Sequence, residues 1–155
     1  MKIRKAADAD VAAMSAMLEK LVAAGRRTMP ADDEYVRDHY VANPSGIVCT
    51  LAEDKDGNLL GFQSLIRAVE DNPYHTPLGW GIIATHVSPD AARTGVGTQL
   101  FASSAQAALE AGLTKIEAFI GKENAVAQAY YEQIGFATYR HTEAAVCKVW
   151  TRRES

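Results

Sequence analysis

Between Leu78 and Ala111 the chain passes from a strand-like run, through a loop with two glycines two residues apart, straight into a helix-like run. Leu78 to Val87 is apolar and carries β-branched residues, as a strand should. Ser88 to Gly97 holds Pro89, Gly95 and Gly97 and leads into a helix of roughly Gly95 to Ala111, which Gly112 stops. A strand that feeds a helix directly must lay that helix on a face of its own sheet. The arrangement therefore points to a mixed fold rather than an all-α or all-β one.

The remainder of the chain agrees with this reading. Lys2 to Lys5 reads as a first strand, and Asp8 or Asp10 as the cap of a helix whose stripe is Val11, Met14, Leu18, Leu21 and Val22. Ala31 to Val41 reads as a short second helix, ended by Asn43-Pro44-Ser45-Gly46. Ile47 to Glu53 and Leu59 to Ala68 are strands joined by the turn Lys55-Asp56-Gly57-Asn58. Val69 to Pro77 is a loop. Thr114 to Ile120 is a strand, Asn124 to Ile134 a helix ended by Gly135, and Phe136 to His141 and Ala144 to Thr151 two closing strands. The order β-α-α-β-β-β-α-β-α-β-β over 155 residues, with no linker, repeat or low-complexity tract, predicts one α/β or α+β domain.

Charge narrows the function. Sixteen basic against nineteen acidic side chains give a net charge of −3, which disfavours a protein that grips nucleic acid through its phosphates. No apolar run approaches the ~18 residues of a membrane span, and the polar start after Met1 resembles no signal peptide. A cytoplasmic, membrane-free setting is the expectation. Cys49 and Cys147, each in a strand-like apolar stretch, read as buried structural thiols. His39, His75, His86 and His141 show no metal-ligand spacing, so no metal is expected.

The loop after Val87 is suited to an anion. Gly95 and Gly97 let the backbone approach a ligand, and the helix that starts there adds unpaired N–H groups and its positive dipole end. Arg93 and Thr98 add side-chain donors. No Gly-Lys-Ser/Thr follows, so this is not a phosphate loop of the nucleotide triphosphatases, and a third glycine is missing for a dinucleotide site. A tight turn that holds nothing fits the loop equally well.

A second segment decides between them. Asn124, Ala127, Tyr130, Tyr131, Gly135 and Phe136 follow the glycine loop at a fixed spacing. Together the two segments resemble the GCN5-related N-acetyltransferase family, and the resemblance covers nearly the whole chain. It implies a mixed sheet of about seven strands flanked by four helices, and an acetyl group moved from acetyl-CoA to an amine by direct attack. It also implies that Arg93, Thr94, Gly95, Val96, Gly97 and Thr98 hold the pyrophosphate. Thr85 and Val87 would offer backbone groups to the pantetheine arm, which Asn124 would flank. Where the family carries Gln or Arg three residues before the first glycine, this chain has Ala92, with Arg93 one place later.

By the same resemblance the Tyr131 hydroxyl lies near the sulfur and protonates the leaving thiolate, whereas Tyr130 packs. An alkyl amine has a pKa near 10.4, so some group must also take its proton. His86 and Glu117 are the candidate bases, with Glu70, Asp71 and His75 nearby, and a water relay with no single base stands beside them. Arg26 to Tyr40 and Val69 to Leu78 would select the acceptor, for which an amino-acid-like compound or a small polyamine fits the mixed charge. The resemblance favours a small-molecule amine over a protein amine and allows a homodimer through Phe136 to Trp150. A non-catalytic acyl-CoA-binding or sensing module is the other reading of the same motifs.

Overall fold

The computed structural model describes residues 1–91 and 94–153. The strands are β1 (Lys2–Lys5), β2 (Gly46–Glu53), β3 (Leu59–Arg67), β4 (Gly81–Val87), β5 (Lys115–Gly121), β6 (Ala137–His141) and β7 (Ala145–Thr151). The helices are α1 (Val11–Ala23), α2 (Asp33–Val36), α3 (Val96–Glu110) and α4 (Ala125–Gln133). The strands form one sheet in the order β1-β2-β3-β4-β5-β7-β6. Every neighbouring pair is antiparallel except β4 and β5.

Alternation along the strands gives each face its own core. Phe62 of β3 and Leu51 of β2 pack with Val11, Met14, Leu18 and Val36 under α1 and α2. Leu65, Ile83, Ile116, Ala118 and Ile120 point the other way, onto Phe101 of α3 and Tyr131 of α4. Met14, Leu18, Phe62 and Leu65 are fully buried, each contributing roughly 1.5–3 kcal/mol. Cys49 and Cys147 are buried within this sheet, and burial pushes the Cys49 thiol up to about 12. Among the described residues no helix is long and apolar enough to cross a membrane.

Two elements differ from the sequence reading. β4 starts at Gly81 rather than Leu78. Gly79 takes a left-handed φ of 83° and the Trp80 N–H returns to the Pro77 carbonyl at 3.2 Å, so these residues turn. The expected helix from Ala31 to Val41 is α2, capped by the Asp32 carboxylate, followed by one wide π turn over Arg37–Val41. The Ala42 N–H reaches back to the Arg37 carbonyl at 2.7 Å. A 3.6-residue period carries no sign of such a turn.

The parallel junction shapes the centre of the molecule. β4 and β5 pair only at Gly81–Ile116, Ile82–Glu117 and Ile83–Ala118. Beyond that the strands part, while β4 stays paired with β3 out to Val87 and β5 with β7 out to Gly121. Two strand edges thus face each other across a gap.

Candidate active site

The gap offers backbone groups. The Ser88 N–H donates to the Leu60 carbonyl at 2.8 Å, toward β3. Alternation then turns the backbone of His86 toward β3 and that of Thr85 and Val87 toward the gap. An unpaired strand edge of this kind binds an extended amide-bearing ligand as another strand would.

The N-terminus of α3 lies just past the end of β4. Gly95 is its N-cap, with φ 82°, and among the described residues, its chain neighbours aside, no atom lies within 4 Å of where a Cβ would stand. Among the described residues no side chain caps the helix, and the Gln99 N–H donates to the Gly95 carbonyl at 3.2 Å. The N–H groups of Val96, Gly97 and Thr98 therefore lack helical acceptors and form the positive end of the helix dipole. Thr98 is exposed and, with Phe101, Ala102, Gln133 and Ile134, lines an open groove of about 330 Å³ between α3 and α4. The Thr94 hydroxyl is engaged inside the loop, donating to the Ala91 carbonyl at 2.6 Å. Val96 is buried, so its side chain serves the core. Arg93 and Ala92 lie outside the described residues.

Gly97 has a use the sequence did not reveal. A Cβ on it would stand 2.5 Å from Cε1 of Tyr130. The Tyr130 hydroxyl donates to the Gly97 carbonyl at 2.7 Å, which locks α4 onto the first turn of α3. Tyr130 is therefore a hydrogen-bonding partner of the loop as well as a packing residue.

From that bond a chain of donors can be followed by acceptor counting. A carbonyl only accepts, so the Tyr130 proton points to Gly97. The Tyr130 oxygen then accepts from the Gln63 side-chain amide at 3.0 Å. The same amide nitrogen donates to the Thr85 hydroxyl oxygen at 2.9 Å. The Thr85 and Tyr131 hydroxyl oxygens are 2.8 Å apart. Either hydroxyl can donate in that pair: with Thr85 as donor the Tyr131 proton is the one without a protein acceptor, and with Tyr131 as donor the Thr85 proton is. Gln63 is fully buried, so the chain is shielded from solvent. Burial also holds the Tyr131 and Tyr130 hydroxyls above their usual range, more strongly for Tyr131, although the Thr85 hydrogen bond opposes the rise. Tyr131 thus stays protonated at neutral pH.

The structure does not bring the two candidate bases to Tyr131. His86 and Glu117 sit on the opposite face of the sheet. His86 lies 4.9 Å from the Phe62 ring and 5.5 Å from that of Tyr40. Burial, and then the charge of Arg27, lower its pKa to about 3. It is neutral at pH 7 but a poor acceptor for the proton of an amine.

Glu117 is fully buried and tied on both oxygens. Arg140 Nη2 donates to Oε1 at 2.8 Å and to Oε2 at 3.1 Å. Thr76 donates to Oε1 at 2.7 Å, and the Tyr139 hydroxyl donates to Oε2. Arg140 Nη2 also donates to the Tyr74 carbonyl at 2.7 Å. Glu117 is therefore an anchor that pins the loop before β4 to β5 and β6.

Asn124 caps α4, its side-chain oxygen accepting from the Ala127 N–H at 3.0 Å. Its amide nitrogen stays available at the exposed start of the helix. His75, Glu70 and Asp71 are exposed on their loop. Among the described residues no group of three His, Cys, Asp or Glu side chains is placed to hold a metal.

The fold is similar to those of known proteins. A GCN5-related N-acetyltransferase from Kribbella flavida is 22% identical, with 97% of each chain covered and a TM-score of 0.78. PaiA N-acetyltransferase from Thermoplasma acidophilum, solved with coenzyme A, is 15% identical, covering 97% of this chain and 98% of its own, with a TM-score of 0.76. A variant of spermidine N-acetyltransferase SpeG from Vibrio cholerae is 18% identical, covering 97% and 95%, with a TM-score of 0.72. At such identities the likeness shows the fold. No curated protein matches the chain. The model of the acetyltransferase (GNAT) family matches residues 14–136, which span both the parted strands and the Tyr131 helix. This chain belongs to the GNAT acetyltransferase family.

Proposed function

We propose that the protein moves the acetyl group of acetyl-CoA to a primary amine of a small molecule, by direct attack, with Tyr131 as the general acid. The observation that supports the reading is the buried hydrogen-bond chain that runs from the Gly97 carbonyl through Tyr130, Gln63 and Thr85 to the Tyr131 hydroxyl; in the proposed mechanism Thr85 donates to Tyr131, whose own proton is then free for the leaving sulfur.

The residues fit acetyl-CoA. The bare first turn of α3 suits its pyrophosphate, and the open space at Gly95 leaves room for it. Thr85 and Val87 suit the amides of its pantetheine arm, and Asn124 the outer side of that arm. Bound there, acetyl-CoA supplies a thioester carbonyl as electrophile. Tyr131 keeps its proton until negative charge grows on the leaving sulfur, and then gives or shares it. The weak basicity of His86 and the engaged carboxylate of Glu117 favour a water relay for the proton of the amine. SpeG is by name a spermidine acetyltransferase, which agrees with a small amine as acceptor. A homodimer through the late strands belongs to the same proposal, since β6 is an edge strand with mostly exposed residues.

Calorimetric titration tests the donor site. Acetyl-CoA should bind with a micromolar constant while ATP gives no heat, and adding an accepted amine should then release coenzyme A. Equal binding of ATP, or no binding of acetyl-CoA, would contradict the assignment.

A further inference from the structure

We propose that Gln63 is a positioning residue for the general acid: its buried side-chain amide sets the sense of the hydrogen bond between Thr85 and Tyr131, so that the Tyr131 proton is left for the leaving sulfur. The inference rests on the transferase reading above and deepens it.

Gln63 stands in the middle of β3, directly opposite Thr85 of β4 in the register of the sheet. It is fully buried, and its side chain reaches Tyr130 of α4. An amide can present its nitrogen or its oxygen to a neighbour, and here the neighbours fix which. The Tyr130 hydroxyl gives its proton to the Gly97 carbonyl, 2.7 Å away, so the Tyr130 oxygen can only accept from Gln63. Nε2 therefore lies between the Tyr130 and Thr85 oxygens, at 3.0 and 2.9 Å, with one N–H directed to each. Among the described residues Oε1 is enclosed without a donor. An enclosed acceptor without a donor is unfavourable, so the two bonds of the nitrogen are what keep the amide in this orientation.

Thr85 thus receives a proton from Gln63 and has its own to give. A hydroxyl that accepts a hydrogen bond becomes a stronger donor, because each bond in a chain polarises the next, most of all away from water. The Tyr131 oxygen is 2.8 Å away. Donation from Thr85 to Tyr131 continues the sense that Gln63 starts and leaves the phenolic proton to go outward. With an apolar side chain at position 63 that bias is lost, and Tyr131 can spend its proton on Thr85 instead. Tyr130 keeps its bond to Gly97 in either case, so the first turn of α3 should hold the pyrophosphate as before.

The test is a double-mutant cycle on coenzyme A release. Gln63→Met keeps the length of the side chain and removes its donors. It should lower kcat on the order of tenfold, the worth of one hydrogen bond, and leave acetyl-CoA affinity and the acceptor KM near those of the parent protein. In the Tyr131→Phe background it should lower kcat no further. Should Gln63→Met fail to fold, judged by thermal unfolding, Thr85→Val breaks the same chain one link later and should show the same pattern. A kcat like that of the parent, or an equal fall in both backgrounds, would overturn the inference and leave the transferase reading in place. Turnover by Tyr131→Phe at the parent's rate would overturn the general acid, and the inference with it. If no alkyl amine, amino acid or polyamine releases coenzyme A, the transferase reading fails and the NMR signals of the tyrosine Cζ carbons still decide on Gln63. Gln63→Met should then move the Tyr131 signal in the parent and not in Thr85→Val; no movement, or equal movement in both, would overturn the inference.

Discussion

His86 shows how one side chain can be read for stability rather than catalysis. Its ring is enclosed between Phe62 and Tyr40, and its pKa falls from 6.5 to about 3 on folding. The unfolded chain binds this proton below pH 6.5, and the folded protein only near pH 3. The contribution to stability is therefore full above pH 6.5 and is lost as pH falls toward 3. Between pH 6.5 and 5 the loss is at most about 2 kcal/mol. Urea unfolding at pH 7 and pH 5 checks this: His86→Phe should be less sensitive to acid than the parent protein, and equal sensitivity would contradict it. At this scale the sequence was informative where a motif placed a residue. Tyr131 and Asn124 fell in such a motif, and the structure ties the first to the Thr85 hydroxyl and makes the second the cap of α4. Gln63 did not. It lies in an apolar strand, and its partners Thr85 and Tyr130 are 22 and 67 residues further along, a proximity that no local pattern encodes.

The elements are held to one another by a few specific contacts. Gly97→Ala would drive a methyl into the Tyr130 ring, from which even the Cβ position is only 2.5 Å. Overpacking of this kind typically costs ~1–3 kcal/mol. It should also loosen the first turn of α3, so acetyl-CoA affinity should fall with stability in paired titration and unfolding measurements. A variant that melts normally and binds normally would show that the Tyr130 contact does not matter. Glu117→Gln tests the other junction. It removes the charge that faces Arg140 in a buried setting, where breaking one side of a pair costs roughly 3–5 kcal/mol. A loss of that size in urea unfolding is expected; a stability within error of the parent would restore Glu117 as a free carboxylate available for chemistry. The type and order of the elements were legible from periodicity and turn residues. The start of β4 and the π turn were not, because both depend on local backbone geometry that apolar spacing does not record.

Over the whole molecule, the sheet is continuous except where its one parallel pair parts after three residue pairs. The order of strands across the sheet, and hence the gap, came from pairings between segments far apart in the chain. The sequence showed that strand, loop and helix adjoin, but not that β5 leaves β4 at that point. The resemblance supplied only the expectation that Thr85 and Val87 offer backbone groups there. The parting puts the end of α3, the free edge of β4 and the Tyr131 hydroxyl around one space. In the proposed mechanism Tyr131 supplies the proton for acetyl transfer from that space. Steady-state release of coenzyme A by the parent protein and by Tyr131→Phe, on the best acceptor found, tests it most directly. Turnover should fall on the order of 10²-fold or more, as loss of a general acid does, with acetyl-CoA affinity unchanged. Turnover by Tyr131→Phe equal to that of the parent protein would contradict it.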